Sequence, residues 1–255
     1  MSSTVRLIRS EQICQAVIAA AQRKLRVASK IALSGWVPRM VRIEGEGEVA
    51  GKPDYAGLTA VERAAMGEML ASLSEAQWST PSLCAGWTVR DLALHLASEA
   101  DVGMARFVAT VASSGFSPDK VNQKMIDLSK GRSAEEITRI VGDPAIKGLF
   151  KLSPAGALTE AFIHQQDMRR PLDMPRAYSE ECLRATADAV CNIMTGTGAK
   201  KRIKGLRLAA TDIEWQHGQG PEVTGTAEAL IMAAAGRRVA LDDLSGEGKT
   251  LLASR

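Results

Sequence analysis

The sequence predicts a mainly α protein, with an antiparallel helical bundle over residues 54–198 and a small α/β unit over residues 199–255. Three observations carry that reading. Ser, Thr and Ser-Pro sites, each followed by apolar residues at helical spacing, mark successive helix starts from Thr59 to Ser179. After Lys204 the pattern changes to short runs broken by Gly218-Gln219-Gly220-Pro221, the signature of strands and a turn. With 255 residues, 45% of them hydrophobic, the chain can fill a core of that size.

Thr59 and Glu62 read as the capping box of the first helix, with Val61, Ala65, Met69 and Leu73 as its apolar face. The next start is fuller. Gly86 allows a turn, Trp87 precedes Thr88 at the N-cap, Asp91 follows three residues later, and Leu92 is placed to meet Trp87 as a hydrophobic staple. Ser117-Pro118 opens a third helix, with proline at its favoured first position. Ser133 and Glu136 cap a short helix that ends before Gly142-Asp143-Pro144. Ser153-Pro154 starts the helix carrying Glu160, His164 and Asp167, which Pro171 stops. Ser179 caps a helix with Leu183, Ala187, Val190 and Met194 on one face, ending at Gly196. In the C-terminal unit, residues 205–210 and 212–217 read as strands, Glu222 to Gly225 as a third, and Ala227 to Ala235 as a helix closed by Gly236. This unit is short and is expected to pack on the bundle.

Residues 1–53 stand apart. Residues 1–43 hold eight Lys or Arg against Glu11 alone. That leaves 24 basic and 28 acidic groups for residues 44–255, out of 32 and 29 in the chain. The basic character therefore belongs to the N-terminal segment, and the mildly acidic body argues against a nucleic-acid footprint. Gln12 to Leu33 has the pattern of a basic amphipathic helix, of the kind that binds a partner or a membrane surface. The plainer reading is a poorly ordered extension ahead of the domain, joined by a Gly/Glu-rich linker from Gly45 to Lys52, and a start codon upstream of the true one would produce it. No run approaches the ~20 apolar residues of a membrane span, and no secretory signal pattern opens the chain. Cys14, Cys84, Cys182 and Cys191 show no CxxC spacing and read as free thiols of a reducing compartment, so a cytoplasmic location is expected.

The chain has three histidines, and two of them carry the functional signal. His95 lies one turn beyond Leu92, on the side shared with Leu92 and Glu99. Glu160 and His164 are four residues apart on one helical face. Two imidazoles and a carboxylate on neighbouring helices would form a three-ligand site with an open fourth position, as catalytic zinc uses. Spacing alone equally permits a satisfied core histidine and a surface Glu–His pair. His217, at a strand end, reads as structural. Cys84 as a fourth ligand would close the site and is set aside. The glycine-rich stretches lack the Lys-Ser/Thr ending of a phosphate loop.

The string Pro81-Ser82-Leu83-Cys84-Ala85-Gly86-Trp87-Thr88-Val89-Arg90-Asp91-Leu92-Ala93-Leu94-His95-Leu96 resembles the N-terminal motif of the mycothiol-dependent maleylpyruvate isomerase family, within the DinB-like superfamily. Glu160-Ala161-Phe162-Ile163-His164-Gln165-Gln166-Asp167-Met168-Arg169-Arg170-Pro171-Leu172 is similar to its second motif. The tail from Gly225-Thr226-Ala227-Glu228-Ala229-Leu230 through Ala235-Gly236-Arg237 to Leu244-Ser245-Gly246 resembles its C-terminal domain more weakly. The resemblance implies a DinB-like four-helix bundle that binds a divalent metal, usually zinc, through His95, Glu160 and His164. It also implies a functional arginine in the C-terminal unit, at Arg237 or its neighbour Arg238. Mycothiol is the implied thiol cofactor and a small electrophilic acid the implied substrate, with Arg237 gripping the substrate carboxylate in bidentate fashion. Asp91, Asp167 and Glu99 are candidates for orienting the ligand imidazoles, against plainer roles as cap residues or solvated charges. The alternatives are a non-catalytic metal or small-molecule module, suggested by a loose likeness of the tail to sterol-carrier-like domains, and a hydrolase using metal-bound water.

Overall fold

The helix Pro154–Arg169 is buried on nearly every side, and the other elements are arranged around it. The computed structural model describes residues 53–115, 117–192 and 197–255. The expected helix from Gln12 to Leu33, the linker up to Lys52, Cys14, and the expected helix end with Met194 and Gly196 lie outside the described residues. In chain order the bundle comprises α1 (Tyr55–Ala71), a short α2 (Glu75–Trp78), α3 (Val89–Asp101), α4 (Met104–Ser113), α5 (Pro118–Ser129), α6 (Ala134–Val141), a 3-10 turn (Gly148–Leu152), α7 (Pro154–Arg169) and α8 (Glu180–Asn192). The C-terminal part adds α9 (Ala199–Arg202), β1 (Arg207–Ala210), β2 (Gln216–Gly218), β3 (Glu222–Gly225), α10 (Ala227–Ala234), a 3-10 segment (Arg238–Asp243) and α11 (Lys249–Ala253). The protein is mainly helical, with the DinB-like fold. No described helix is long and apolar enough to cross a membrane.

Most helix starts follow the chemistry legible in the chain. Thr88 Oγ1 accepts from Asp91 N at 3.1 Å while Asp91 Oδ2 accepts from Thr88 N at 3.0 Å, a reciprocal capping box. Ser133, Ser153 and Ser179 each accept a backbone N–H three residues on. The first helix departs from expectation. It starts at Tyr55, capped by Asp54, whose Oδ1 accepts from Gly57 N at 3.0 Å. Thr59 instead lies inside α1 and donates back to Tyr55 O. The expected apolar face holds at Met69 and Leu73, which join the core, but not at Val61, which is 58% exposed while Glu62 and Arg63 beside it are buried. Glu62 is held by Arg176 and Gln165, and Arg63 donates to the carbonyls of Ile140 and Asp143. Paired charges can be buried, and here they take interior positions that an apolar count assigns elsewhere. Helix α4 has no sequence signal at its start because Gly103 caps it without a side-chain bond. The second expected strand is reduced to Gln216–Gly218.

α1 packs on α6 and α7, α3 on α5 and α6, and α8 joins α7 to α10. The α1–α6 crossing is close enough to need glycine on both sides, because a Cβ on Gly67 would lie 2.7 Å from Gly142 Cα. The sheet has the order β2-β1-β3, antiparallel between β1 and β2 and parallel between β1 and β3. Two apolar clusters flank α7. Ala157, Ala161 and Met168 face the cluster built on α1, α3 and α6. Leu158, Phe162 and Ile163 face the cluster shared with α8, the sheet and α10. A helix between two cores has no free polar stripe, so the polar side chains α7 carries are buried and must find partners.

Candidate metal centre

α3 and α7 meet over a short stretch, and that stretch carries the expected histidines. The capping box fixes where α3 begins, and His95 follows two turns into the helix, buried against Trp87 with ring centroids 5.2 Å apart. α7 presents Glu160 and His164 one turn apart, with His164 Nε2 2.9 Å from Glu160 Oε2. The rings of His95 and His164 meet edge to face at 5.6 Å. One donor atom from each of His95, Glu160 and His164 lies within 4.8 Å of the other two. The structure thus brings the three sequence-selected residues together.

Two features fit this donor set to a divalent cation. His95 Nδ1 and Glu160 Oε2 are buried and have no hydrogen-bond partner among the described residues, although Glu160 Oε2 is within ion-pair distance of His164. Buried polar atoms are rarely left so. Two neutral imidazoles and a carboxylate are also the nitrogen and oxygen donors that zinc accepts.

The electrostatics are asymmetric. Burial pushes His95 down to about 4, and the charge on His164 adds to this against the opposing pull of Glu160. Burial acts on His164 in the same sense. There it is outweighed by the charge of Glu160 and by contacts with Asp167 and Cys84, which hold the imidazole well above its ordinary value. Asp167 is wholly buried. Burial would raise its carboxyl, but the Arg237 guanidinium and His164 keep it below the usual carboxylate range.

Asp167 joins the site to the C-terminal unit. Its Oδ2 lies 2.9 Å from His164 Nδ1, so a proton on Nδ1 is donated to Asp167 and Nε2 is left facing Glu160. Arg237, just beyond α10, donates to the same carboxylate through Nε at 2.9 Å and Nη2 at 2.5 Å. Arg238 points away and donates to Ala253 O. Of the two arginines left open by the sequence, Arg237 is therefore the one at the site. Its Nε/Nη2 edge is committed to Asp167, so the bidentate grip expected for a substrate carboxylate is made here on a protein carboxylate. Of the other orienting candidates, Asp91 is occupied by the cap of α3, while Glu99 Oε1 lies 3.6 Å from His95 Nε2. Burial and the charge of Glu160 push Glu99 up to about 8. His217 lies in β2, stacked with Trp215 at 6.2 Å, away from these residues.

Sequence reasoning undervalued two contacts. Cys84 Sγ sits 3.8 Å from His164 Nδ1, 3.3 Å from Asp167 Oδ2 and 3.9 Å from Arg237 Nη2. It approaches the ring nitrogen opposite Glu160, outside the His95–Glu160–His164 set. A cation held by Cys84, His164 and Asp167 would have to displace the Arg237 guanidinium. Arg170 was read only as part of a motif. It pairs with Glu228 and Asp243 and so fastens the end of α7 to the start of α10. No local spacing connects these residues, which are 58 and 73 positions apart.

Residues 59–141 match the family model of the mycothiol maleylpyruvate isomerase N-terminal domain. The resemblance to that family holds. The matched stretch contains His95, and Glu160 and His164 follow it. Two solved structures share the fold. They are the crystal structure of the mycothiol-dependent maleylpyruvate isomerase and that of a histidine-to-alanine mutant of it, with TM-scores of 0.50 and 0.51. Each is 16% identical to this chain, and the likeness covers 77% of this chain and 92% of the other. No curated protein matches the chain.

Proposed function

We propose that this protein is a metal-dependent enzyme that uses a low-molecular-weight thiol, mycothiol, to act on a small electrophilic acid as an isomerase or thiol transferase. The observation that carries this reading is the chain of contacts from the His95–Glu160–His164 donor set through Asp167 to Arg237. His95, Glu160 and His164 would hold the ion, zinc being the metal that suits them. When bound in this donor set, such an ion carries a net charge near +1 and favours the thiolate over the thiol, the nucleophilic form.

The protein's own residues then have separate tasks. Asp167 keeps the proton of His164 on Nδ1 and so directs Nε2 to the ion. Arg237 remains positively charged, and the Nη1 side of its fork, which among the described residues donates only to Ala235 O at 3.2 Å, would take the substrate carboxylate. Addition of thiolate sulfur to a cis enedione-like double bond leaves a single bond free to rotate. Elimination of the same thiolate then returns the thiol and gives the trans isomer. Neither Cys182 nor Cys191 suits the nucleophile's role, since burial pushes both thiols up to about 12. Cys84 lies at the His164 Nδ1 side, opposite Glu160, and the reading takes the thiol from solution instead.

The test is to assay maleylpyruvate and related cis-enedione acids with and without mycothiol, for the wild-type chain and for one with all four cysteines replaced by serine. Thiol-dependent turnover that survives the cysteine replacements is expected. Equal rates without thiol, or activity lost only in the cysteine-free protein, would overturn the reading.

A further inference from the structure

Three arginines of the C-terminal unit line one shallow pocket. Arg202 ends α9, Arg238 opens the 3-10 segment after α10, and Arg255 lies beyond α11. Gly236 and three apolar side chains complete the lining, and no aspartate or glutamate takes part in it. Among the described residues each guanidinium donates to backbone carbonyls alone. Arg202 donates to Ala234 O and Thr197 O, Arg238 to Ala253 O at 2.8 Å, and Arg255 to Arg202 O at 2.9 Å and Lys204 O at 2.6 Å. Carbonyls satisfy N–H groups but do not cancel a unit charge.

Arg202 stands out among the buried arginines. It is 9% exposed, as is Arg169, and Arg63 is 3% exposed. Those two have acids close enough to act on them, Glu62 and Glu68 for Arg169 and Asp143 for Arg63. The neighbouring charge that acts on Arg202 is Arg237, of its own sign. Gly236 lies against the guanidinium, since a Cβ there would fall 2.9 Å from Arg202 Nη2, so backbone rather than an acid covers that side. Exposed Lys200, Lys201 and Lys204 flank Arg202 in the chain and add to the positive field. A buried cation without a counter-charge is costly. The enclosed part of the pocket has room for about one water-sized group, which suits the oxygen end of an anion rather than the body of an organic ligand.

We propose that this pocket binds a small oxyanion, a carboxylate or phosphate group, whose oxygens accept from Arg202, Arg238 and Arg255. The bound charge offsets the repulsion between Arg202 and Arg237 and ties α9, the segment after α10 and α11 to one another. Arg237 follows Gly236 directly, so occupancy would also steady the arginine that holds Asp167. The pocket contains no residue of the metal centre and does not depend on that reading.

The experiment follows the melting temperature of the full-length protein at fixed pH and ionic strength while sodium phosphate or sodium acetate replaces sodium chloride. Wild type is compared with Arg238→Ala, Arg255→Ala and the double variant, all at exposed positions, and with Arg207→Ala, an exposed arginine outside the pocket. Saturable stabilisation by at least one of the two anions is expected, and the anion that gives it names the group. Half-saturation should move to at least about tenfold higher anion in each single variant, for the loss of one charged donor, and stay in place in Arg207→Ala. Arg202→Lys, which keeps the charge without the fork, should shift it in the same direction; if that variant does not fold, the two exposed positions decide. A rise that never saturates, or one that persists unchanged in the double variant, is a general salt effect and would overturn the proposal.

Discussion

Replacing Asp167 by asparagine tests the centre at its most connected atom pair. The carboxylate is wholly buried and meets two donors on Arg237, the His164 ring and the Cys84 thiol. An asparagine offers a single acceptor oxygen and turns an N–H₂ toward either Arg237 or His164, where another donor already points. Loss of two charge-assisted hydrogen bonds at about 1.5–3 kcal/mol each agrees with the roughly 3–5 kcal/mol for breaking a buried ion pair. Loss of the carboxylate behind His164 should also weaken metal binding by about 10–100-fold. Urea denaturation of the metal-free protein would measure the first effect, and competition with a chelating dye the second. The pH dependence has a definite sign. Asp167 is held below its ordinary range in the folded state. Its contribution is therefore complete above about pH 4 and is lost as pH falls through the lower folded value. The difference between wild type and Asp167→Asn should persist at pH 5 and shrink only in stronger acid. A variant within about 0.5 kcal/mol of wild type, with metal affinity unchanged, would refute the role assigned to this residue.

His95→Ala and His164→Ala should each weaken metal binding by more than about a hundredfold while leaving helix content nearly intact; full metal retention in both, measured by elemental analysis after dialysis, would dissolve the triad. Arg237→Lys keeps the charge beside Asp167 but loses the planar fork. It should retain stoichiometric metal and lower thiol-dependent turnover, and an unchanged kcat/KM would remove Arg237 from substrate binding. Gly67→Ala should destabilise the fold by about 1–3 kcal/mol, because the added Cβ meets Gly142 Cα at 2.7 Å. A melting temperature equal to wild type would show that the α1–α6 crossing yields freely.

The local chemistry of the fold was legible at Thr88, Ser133, Ser153 and Ser179, whose side chains cap their own helices, but not at Asp54, which caps α1 where the sequence pointed to Thr59. Position was lost where burial depends on a distant partner. Thr59 and Glu62 have capping-box spacing, yet Glu62 is an interior residue because Arg176 lies over it from 114 positions away. That His95, Glu160 and His164 come together was legible from the two distinctive motifs, whereas their spacing alone also permits a core histidine and a surface pair. Asp167 as the hub and the choice of Arg237 over Arg238 were not legible, since both depend on how the segment after α10 sits against α7, and Cys84 against His164 was not, since it depends on how the loop before α3 lies on α7. Nothing in the spacing of residues 167 and 237 encodes that approach.

The Asp167–Arg237 contact also bears on the order of events during synthesis. The two partners are 70 residues apart, and Arg237 belongs to almost the last part of the chain to leave the ribosome. Until α10 docks, Asp167 is a buried carboxylate without its principal counter-ion, and the His164 ring has only an unsupported neighbour to hold its tautomer. The bundle can gather its apolar faces early, but a well-directed Nε2 comes only with the final segment. Chelation would then be a late step, and a nascent chain shorter than about 240 residues would have little competence to capture zinc.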